Sequence, residues 1–194
     1  MRKSGLILAC LTAVLAAACG GELSWQTKDI SGMMPALEFT LTSEDGKTVT
    51  EDHYTGNVNL VFFGFTHCPD ICPITLGRLR GVMDRLPGDV AHRVQVLFVS
   101  VDPDRDGPEE LRTYTDQFGT NFIGLTGSQE QLQALTKRYR TTYGYGEPDD
   151  QGNYEVSHGS AVYAFDSSGA ARLLIRNSDD VDAVASDLEQ LVQG

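Results

Sequence analysis

The feature that most constrains this chain is a pair of cysteines at the junction between a predicted strand and a predicted helix. Cys68 and Cys72 are separated by three residues and follow the apolar run 58–63, which has the length of a strand buried on both faces. Pro73 then opens a segment whose apolar positions recur every three or four residues, as in an amphipathic helix. Thiols at such a junction favour metal capture, disulfide exchange or both.

The size and charge of the chain limit its fold and its partners. Its 194 residues suit one α/β domain, and 41% hydrophobic with 22% charged residues is an ordinary globular balance. The formal net charge of −12 makes a nucleic-acid partner unfavourable, because binding to phosphates needs a basic surface. We interpret the acidic exterior mainly as solvated surface, which also suits a cationic partner or a metal donor.

The first residues read as an export signal. Arg2 and Lys3 precede the apolar stretch 6–18, and small residues lie directly before Cys19. We predict a signal peptide over 1–18, which is too short to span a bilayer comfortably since a span takes roughly 20 apolar residues. The context of Cys19 resembles a lipobox, although Ala16 stands where leucine is preferred.

The expected location follows from that signal. We predict lipidation at Cys19, a lipid anchor and tether over 19–33, and a folded domain over 34–194, held at the periplasmic side of a bacterial membrane. Ordinary cleavage to a soluble periplasmic protein is the alternative. Cys10 is lost with the signal, and a lipidated Cys19 leaves Cys68 and Cys72 as the free pair in an oxidising compartment, where they can form a disulfide.

The order of predicted elements indicates an α/β fold. The hydrophobic pattern gives a β-hairpin, then strand, helix, strand, two helices, a second hairpin and a closing helix. We expect a thioredoxin-like fold, with a central mixed sheet flanked by helices and an N-terminal β-hairpin. The predicted ranges are 38–50, 58–66, 73–86, 93–101, 108–118, 121–125, 128–140, 160–176 and 179–193.

The position of the cysteines does not by itself choose between metal binding and disulfide exchange. A helix N-terminus stabilises a thiolate, which is the form that both attacks disulfides and binds metals. A soft dithiolate suits Cu(I) or Zn. Thioredoxins place a proline before the final hairpin, facing the cysteines, whereas the matching stretch 156–163 has no proline and contains His158. Two thiolates and this imidazole can bind copper.

These residues resemble the SCO/SenC family of copper-binding proteins. The resemblance covers roughly 34–191 and depends on the motif Gly-Phe-Thr-His-Cys-Pro-Asp-Ile-Cys-Pro at 64–73, on the segment 100–109, and on His158. It implies that Cys68, Cys72 and His158 bind copper, for delivery to, or thiol maintenance of, the CuA centre of cytochrome c oxidase. The family usually has aspartate before the histidine, where this chain has Ser157, so we expect a weaker site unless another group orients the ring.

The predicted function is that of a copper metallochaperone. Its expected partners are the oxidase subunit that carries CuA and another periplasmic copper chaperone or thiol reductant. The alternative is a thiol-disulfide oxidoreductase whose redox-active pair is Cys68 and Cys72, with no other catalytic residue. A peroxide-handling protein is a weaker possibility, since no arginine lies directly beside either cysteine.

Less specific interpretations remain open for each group. The cysteines could form a purely structural disulfide, and His158 could be a loop histidine with a structural hydrogen bond. We expect His67 to point away from the thiols, because successive side chains on a strand face opposite sides. The carboxylates of segment 102–106 could form a second metal site or contact a partner, but a loop held by hydrogen bonds is favoured.

Overall fold

The computed structural model describes residues 24–194, so the predicted signal peptide and the predicted lipidation site Cys19 lie outside the described residues. Within the described range, no helix is both long and apolar enough to cross a bilayer. The strands are β1 (Lys28–Asp29), β2 (Thr40–Ser43), β3 (Thr48–Thr50), β4 (Val58–Gly64), β5 (Val94–Ser100), β6 (Phe122–Thr126), β7 (Tyr143–Tyr145), β8 (Val156–His158), β9 (Val162–Phe165) and β10 (Ala171–Ile175). The helices are α1 (Ile71–Met83), α2 (Gly88–Ala91), α3 (Pro108–Thr115), α4 (Gln129–Arg138) and α5 (Val181–Gln193).

A mixed sheet of eight strands forms the body of the molecule, in the order β1-β10-β9-β4-β5-β6-β2-β3. Strand β4 lies inside this sheet, parallel to β5 and antiparallel to β9, and all seven of its residues are buried. A strand covered on both faces must be apolar throughout, which is the pattern that predicted it. The predicted α/β class, the mixed sheet and the N-terminal hairpin of β2 and β3 are confirmed.

Helix α1 carries the second cysteine into the core. Its buried face includes Cys72, Leu76, Leu79 and Val82, which pack against the sheet. The helix begins at Ile71, two residues before the predicted start. Pro73 is tolerated in the first turn because the backbone N–H that proline lacks would have no acceptor within the helix there. Cys72 therefore lies inside the first turn.

A second, two-stranded sheet was not predicted. Strands β7 and β8 pair antiparallel, with Tyr143 opposite His158 and Gly144 opposite Ser157. Among the described strands, β7 and β8 make no backbone ladder with the eight-stranded sheet. The candidate ligand His158 is therefore carried by an accessory hairpin.

The predicted tether ends earlier than position 33. Lys28 and Asp29 form β1 on the edge of the main sheet, and Thr27 and Ile30 are buried. The cause is Asp187, a fully buried residue of α5. Its carboxylate accepts hydrogen bonds from the Thr27 backbone N–H and hydroxyl at 2.8 Å each, and from the Gln26 N–H at 3.0 Å. These bonds fix the segment to the domain.

Replacing Asp187 with alanine is expected to lower the free energy of unfolding by about 2–4 kcal/mol, because several buried donors lose their shared acceptor. The measurement is urea denaturation followed by circular dichroism. Ser186→Ala is the matched control, since Ser186 is an exposed neighbour on the same helix, and it should change stability by less than about 0.5 kcal/mol. Equal midpoints for the two variants would show that the segment is not anchored in this way.

Candidate metal centre

The two sulfurs reach the same point because the chain turns tightly after β4. The backbone N–H of Cys68 donates to the Phe65 carbonyl at 3.2 Å, and the N–H of Cys72 donates to the Cys68 sulfur at 3.5 Å. Cys72 is fully buried, whereas Cys68 is half-buried. Both are free thiols in this structure, so the predicted disulfide stays a prediction for the oxidised protein.

His158 approaches both sulfurs from the accessory hairpin. Its Nε2 atom lies 3.5 Å from the Cys68 Sγ and 3.4 Å from the Cys72 Sγ. The three ligand atoms lie within 4.8 Å of one another. The structure thus brings together the three residues that the sequence proposed as ligands.

The orientation of the His158 ring is set by a backbone carbonyl. Nδ1 lies 2.9 Å from the Gly159 carbonyl oxygen, which can only accept a hydrogen bond, so Nδ1 carries the proton and the Nε2 lone pair faces the thiols. Ser157, in the position of the usual aspartate, donates its hydroxyl to the Gly144 carbonyl instead. The Gly159 carbonyl therefore supplies the orientation that was expected from a carboxylate.

Aromatic rings enclose the imidazole on its apolar sides. Phe65 and Phe62 meet it edge to face, with centroid distances of 5.6 and 6.0 Å. Such contacts restrict the rotation of the ring and keep water from it. The ring is consequently held in one orientation before any metal arrives.

The buried environment of Cys72 favours the protonated thiol over the thiolate. Burial raises the pKa of the Cys72 thiol well above its usual range, and the Cys68 sulfur and the Asp106 carboxylate act in the same direction. A hydrogen bond between the Phe65 backbone and the Cys72 thiol has the opposite effect and lowers this pKa. Loading of the site therefore requires the metal to displace a proton.

The donor set fits a soft or borderline ion. Two sulfurs and one neutral imidazole suit Cu(I) or Zn, whereas hard cations prefer carboxylate and carbonyl oxygens. An open cleft of about 540 Å³ lies beside Cys68 and His158 and gives access from solvent. The arrangement can bind a thiophilic ion and exchange it through that opening.

His67 is placed away from the three ligand atoms. Its side chain is 55% exposed, and Nδ1 lies 3.0 Å from the Thr66 hydroxyl and 3.5 Å from the Asp106 carboxylate. It is not part of the Cys-Cys-His group of the described residues. This placement agrees with the interpretation of His67 as a non-ligand.

The carboxylates Asp102 and Asp106 of segment 102–106 form hydrogen bonds with residues next to the site. Asp106 is buried and accepts hydrogen bonds from the Thr66 N–H at 2.8 Å and the Thr66 hydroxyl at 2.6 Å. Asp102 is buried and binds Arg105 and Tyr154. In the described residues these two acids are occupied by protein donors, as expected for a structural loop, and Asp104 is exposed.

A thioredoxin-like fold with two thiols and one imidazole around one point defines a thiol-based metal-binding protein. A family model described as SCO1/SenC matches residues 31–193. The chain therefore belongs to the SCO1/SenC family.

Individual relatives agree with this assignment. A SCO2-like protein of Rickettsia felis is 36% identical over 135 residues, covering 68% of this chain and 64% of the relative, so the match spans less than two thirds of that protein's length. The copper-bound structure of ScoI from Bradyrhizobium japonicum is 31% identical with a TM-score of 0.73, covering 80% of this chain and 98% of the other. The copper-bound Arabidopsis thaliana ScoI is 33% identical with a TM-score of 0.71 and the same coverage.

Proposed function

We propose that this protein is a copper metallochaperone that binds one Cu(I) through Cys68, Cys72 and His158. The observation that carries the proposal is the position of the His158 Nε2 within 3.5 Å of both sulfurs. Two relatives at 31% and 33% identity hold copper in their structures, which supports copper over zinc. The ion is cargo, and its recipient is the CuA centre of cytochrome c oxidase, as the family implies.

The asymmetry of the site suits delivery rather than storage. Cys72 is fully buried and holds the ion from the core side, whereas Cys68 and His158 are half-buried beside the open cleft. A thiol or imidazole of a recipient can approach from that side and replace one ligand at a time. Stepwise exchange avoids release of free copper.

The proposed setting is the periplasmic face of the membrane. Lipidation at Cys19 would place the domain beside a membrane-bound oxidase, and the acidic character of the chain, whose full-length net charge is −12, would favour a recipient surface with positive charge. Another copper chaperone would supply the metal, and a thiol reductant would keep the two cysteines reduced.

The variant His158→Ala is expected to weaken Cu(I) affinity on the order of 100-fold, or about 2.7 kcal/mol, because one of three ligands is lost. The measurement is anaerobic competition against a chromophoric Cu(I) chelator. The matched control is His67→Ala, which removes an exposed histidine next to Cys68 and should change affinity less than about threefold. Equal affinities of wild type and His158→Ala would remove His158 from the site.

A transfer assay tests the delivery role. Copper-loaded protein is mixed with the metal-free oxidase subunit, and formation of CuA is followed by its absorption. We expect CuA to form with wild-type protein at a rate that rises with the concentration of donor protein, and not with Cys68→Ser. Formation of CuA at the same rate from an equal amount of chelated copper alone would contradict a delivery function.

The position of Cys68 also favours a second candidate function, thiol-disulfide exchange. Its half-buried sulfur accepts a hydrogen bond from the Cys72 N–H at the start of α1 and lies beside the open cleft, where a target disulfide can reach it. In this reaction the Cys68 thiolate attacks a target disulfide and releases one target thiolate. Cys72 then displaces the second, so that the target gains two electrons and Cys68–Cys72 becomes a disulfide.

The two functions are separated by trapping. With Cys72→Ser, an exchange enzyme should accumulate a mixed disulfide through Cys68 with an oxidised target peptide, detected by mass spectrometry. Rapid trapping would support the oxidoreductase function. No adduct after hours, together with efficient copper transfer by wild type, would leave only the chaperone function.

A further inference from the structure

Among the described strands, the accessory hairpin that carries His158 makes no backbone ladder with the main sheet. After β8 the chain enters β9 in the main sheet within four residues, which fixes His158 from its C-terminal side. Before β8, the segment between β7 and β8 has no regular structure. The position of His158 thus depends on side chains that attach this hairpin to the rest of the domain.

Tyr154, four residues before His158, provides one such attachment. Its hydroxyl donates to the buried Asp102 carboxylate at 2.7 Å. Removal from water, together with this hydrogen bond, raises the pKa of Tyr154 to about 12. The hydroxyl therefore remains a donor at any physiological pH.

Arg105 holds Tyr154 from the other side. Its guanidinium carbon lies 3.9 Å from the centre of the Tyr154 ring, and Nη1 donates to the Tyr154 carbonyl at 3.2 Å. The same guanidinium is ion-paired with Asp102. Arg105 therefore contacts the Tyr154 ring, the Tyr154 carbonyl and the Asp102 carboxylate that accepts the hydrogen bond of the Tyr154 hydroxyl.

The same arginine also contacts the ring that encloses the ligand. Its guanidinium carbon lies 5.7 Å from the centre of Phe65, and Phe65 meets His158 edge to face at 5.6 Å. The contacts therefore run from the loop after β5, through Arg105, to Phe65, which packs on the His158 ring, and to Tyr154, four residues before His158. Tyr145 adds a further attachment through its hydroxyl, which donates to the Val101 carbonyl.

The stability of the fold does not account well for this arrangement. Asp102 is fully buried, Arg105 is mostly buried, and the Arg105 Nη2 atom has no partner among the described residues. Buried ion pairs add little net stability over apolar packing, because loss of hydration offsets their attraction. What the group does provide is a fixed direction for the segment that enters β8.

We infer that Tyr154, held by Arg105 and Asp102, is a positioning residue that keeps the His158 imidazole over the two thiols before copper binds. None of the three touches the ligand atoms, so they act through the hairpin. The inference rests on the proposed copper site and identifies which residues outside it set its affinity.

The test is a double-mutant cycle on Cu(I) affinity in the full reduced protein, with Tyr154→Leu, His158→Ala and the double variant. Tyr154→Leu should weaken binding by roughly 10- to 100-fold in the wild-type background, the usual range for residues that orient a metal ligand. In the His158→Ala background the same substitution should change affinity less than about twofold, since the ring it positions is gone.

Other variants keep the result interpretable. Tyr154→Phe, which retains the stacked ring and loses only the bond to Asp102, should give a smaller loss that also disappears without His158. Tyr139→Phe is the matched control, because it removes a buried tyrosine hydroxyl bonded at 3.0 Å to the Ala36 carbonyl and the Glu38 N–H, and it should leave affinity unchanged.

The outcomes separate this inference from the proposed function. A loss of equal size in both backgrounds, or no loss in the wild-type background, overturns the positioning role. If His158→Ala alone leaves the affinity unchanged, the proposed ligand set itself fails. If His158→Ala weakens Cu(I) affinity but Tyr154→Leu does not, only the positioning role is overturned.

Discussion

Replacing Cys72 with serine is expected to lower Cu(I) affinity by at least about 1000-fold, or about 4 kcal/mol. The hydroxyl is a hard ligand that remains protonated near neutral pH, and the remaining thiolate and imidazole form an incomplete site. Cys72 is also fully buried, so the ion loses the ligand that holds it from the core side. Cys68→Ser should give a loss of similar size. Anaerobic competition titration against a Cu(I) chelator measures both.

Ser157→Ala is the control for these substitutions. It removes a hydroxyl one residue from His158 that, within residues 24–194, donates its hydrogen bond to the Gly144 carbonyl, and it should leave affinity within about threefold of wild type. If Cys72→Ser retained affinity within about tenfold, the buried sulfur would not be a ligand. The site would then be built on Cys68 and His158 without the buried sulfur.

The second large effect is expected from Gly64→Ala, at the end of β4. A Cβ atom at this position would lie 2.5 Å from the Cys72 Sγ and 2.7 Å from a ring carbon of Phe98. Because the surrounding core is closely packed, the sulfur must move or the helix must shift. We expect the free energy of unfolding to fall by about 2–3 kcal/mol, and Cu(I) affinity to fall more than about tenfold.

Gly77→Ala is the matched control for Gly64→Ala. Gly77 lies on α1, and a Cβ there would meet nothing within 4 Å. Alanine at an exposed helical position should raise stability by about 0.5–1 kcal/mol and leave the sulfurs in place. Wild-type stability and affinity in Gly64→Ala would show that the contact between strand and sulfur is not as tight as described.

The main sheet and its helices were predictable because burial imposes a strong pattern on the sequence. Strand β4 is covered on both faces and is therefore apolar throughout, and α1 and α5 have apolar residues at helical spacing. The positions of the two cysteines in the fold were predictable too, because they lie shortly after the end of β4 in the sequence. The proximity of His158 could be expected only from the thioredoxin-like order of elements, because nothing in the local sequence indicates which part of the fold a distant residue will face.

The features that the sequence did not reveal depend on contacts between remote residues. Strands β7 and β8 are each three residues long, too short to show a clear hydrophobic pattern, and they are attached to the domain by Tyr154 and Arg105 together with the buried Val156. Strand β1 forms because the buried Asp187, far along the chain, binds the segment before it. The Gly159 carbonyl orients His158 without any sequence signal, since every residue has a carbonyl.

X-ray absorption spectroscopy of the copper-loaded protein tests the central claim most directly. The account predicts Cu(I) with two sulfur ligands and one nitrogen ligand in wild type, with the nitrogen contribution lost in His158→Ala and retained in His67→Ala. A spectrum with two sulfurs and no nitrogen, or one that His158→Ala leaves unchanged, would contradict a site built from Cys68, Cys72 and His158.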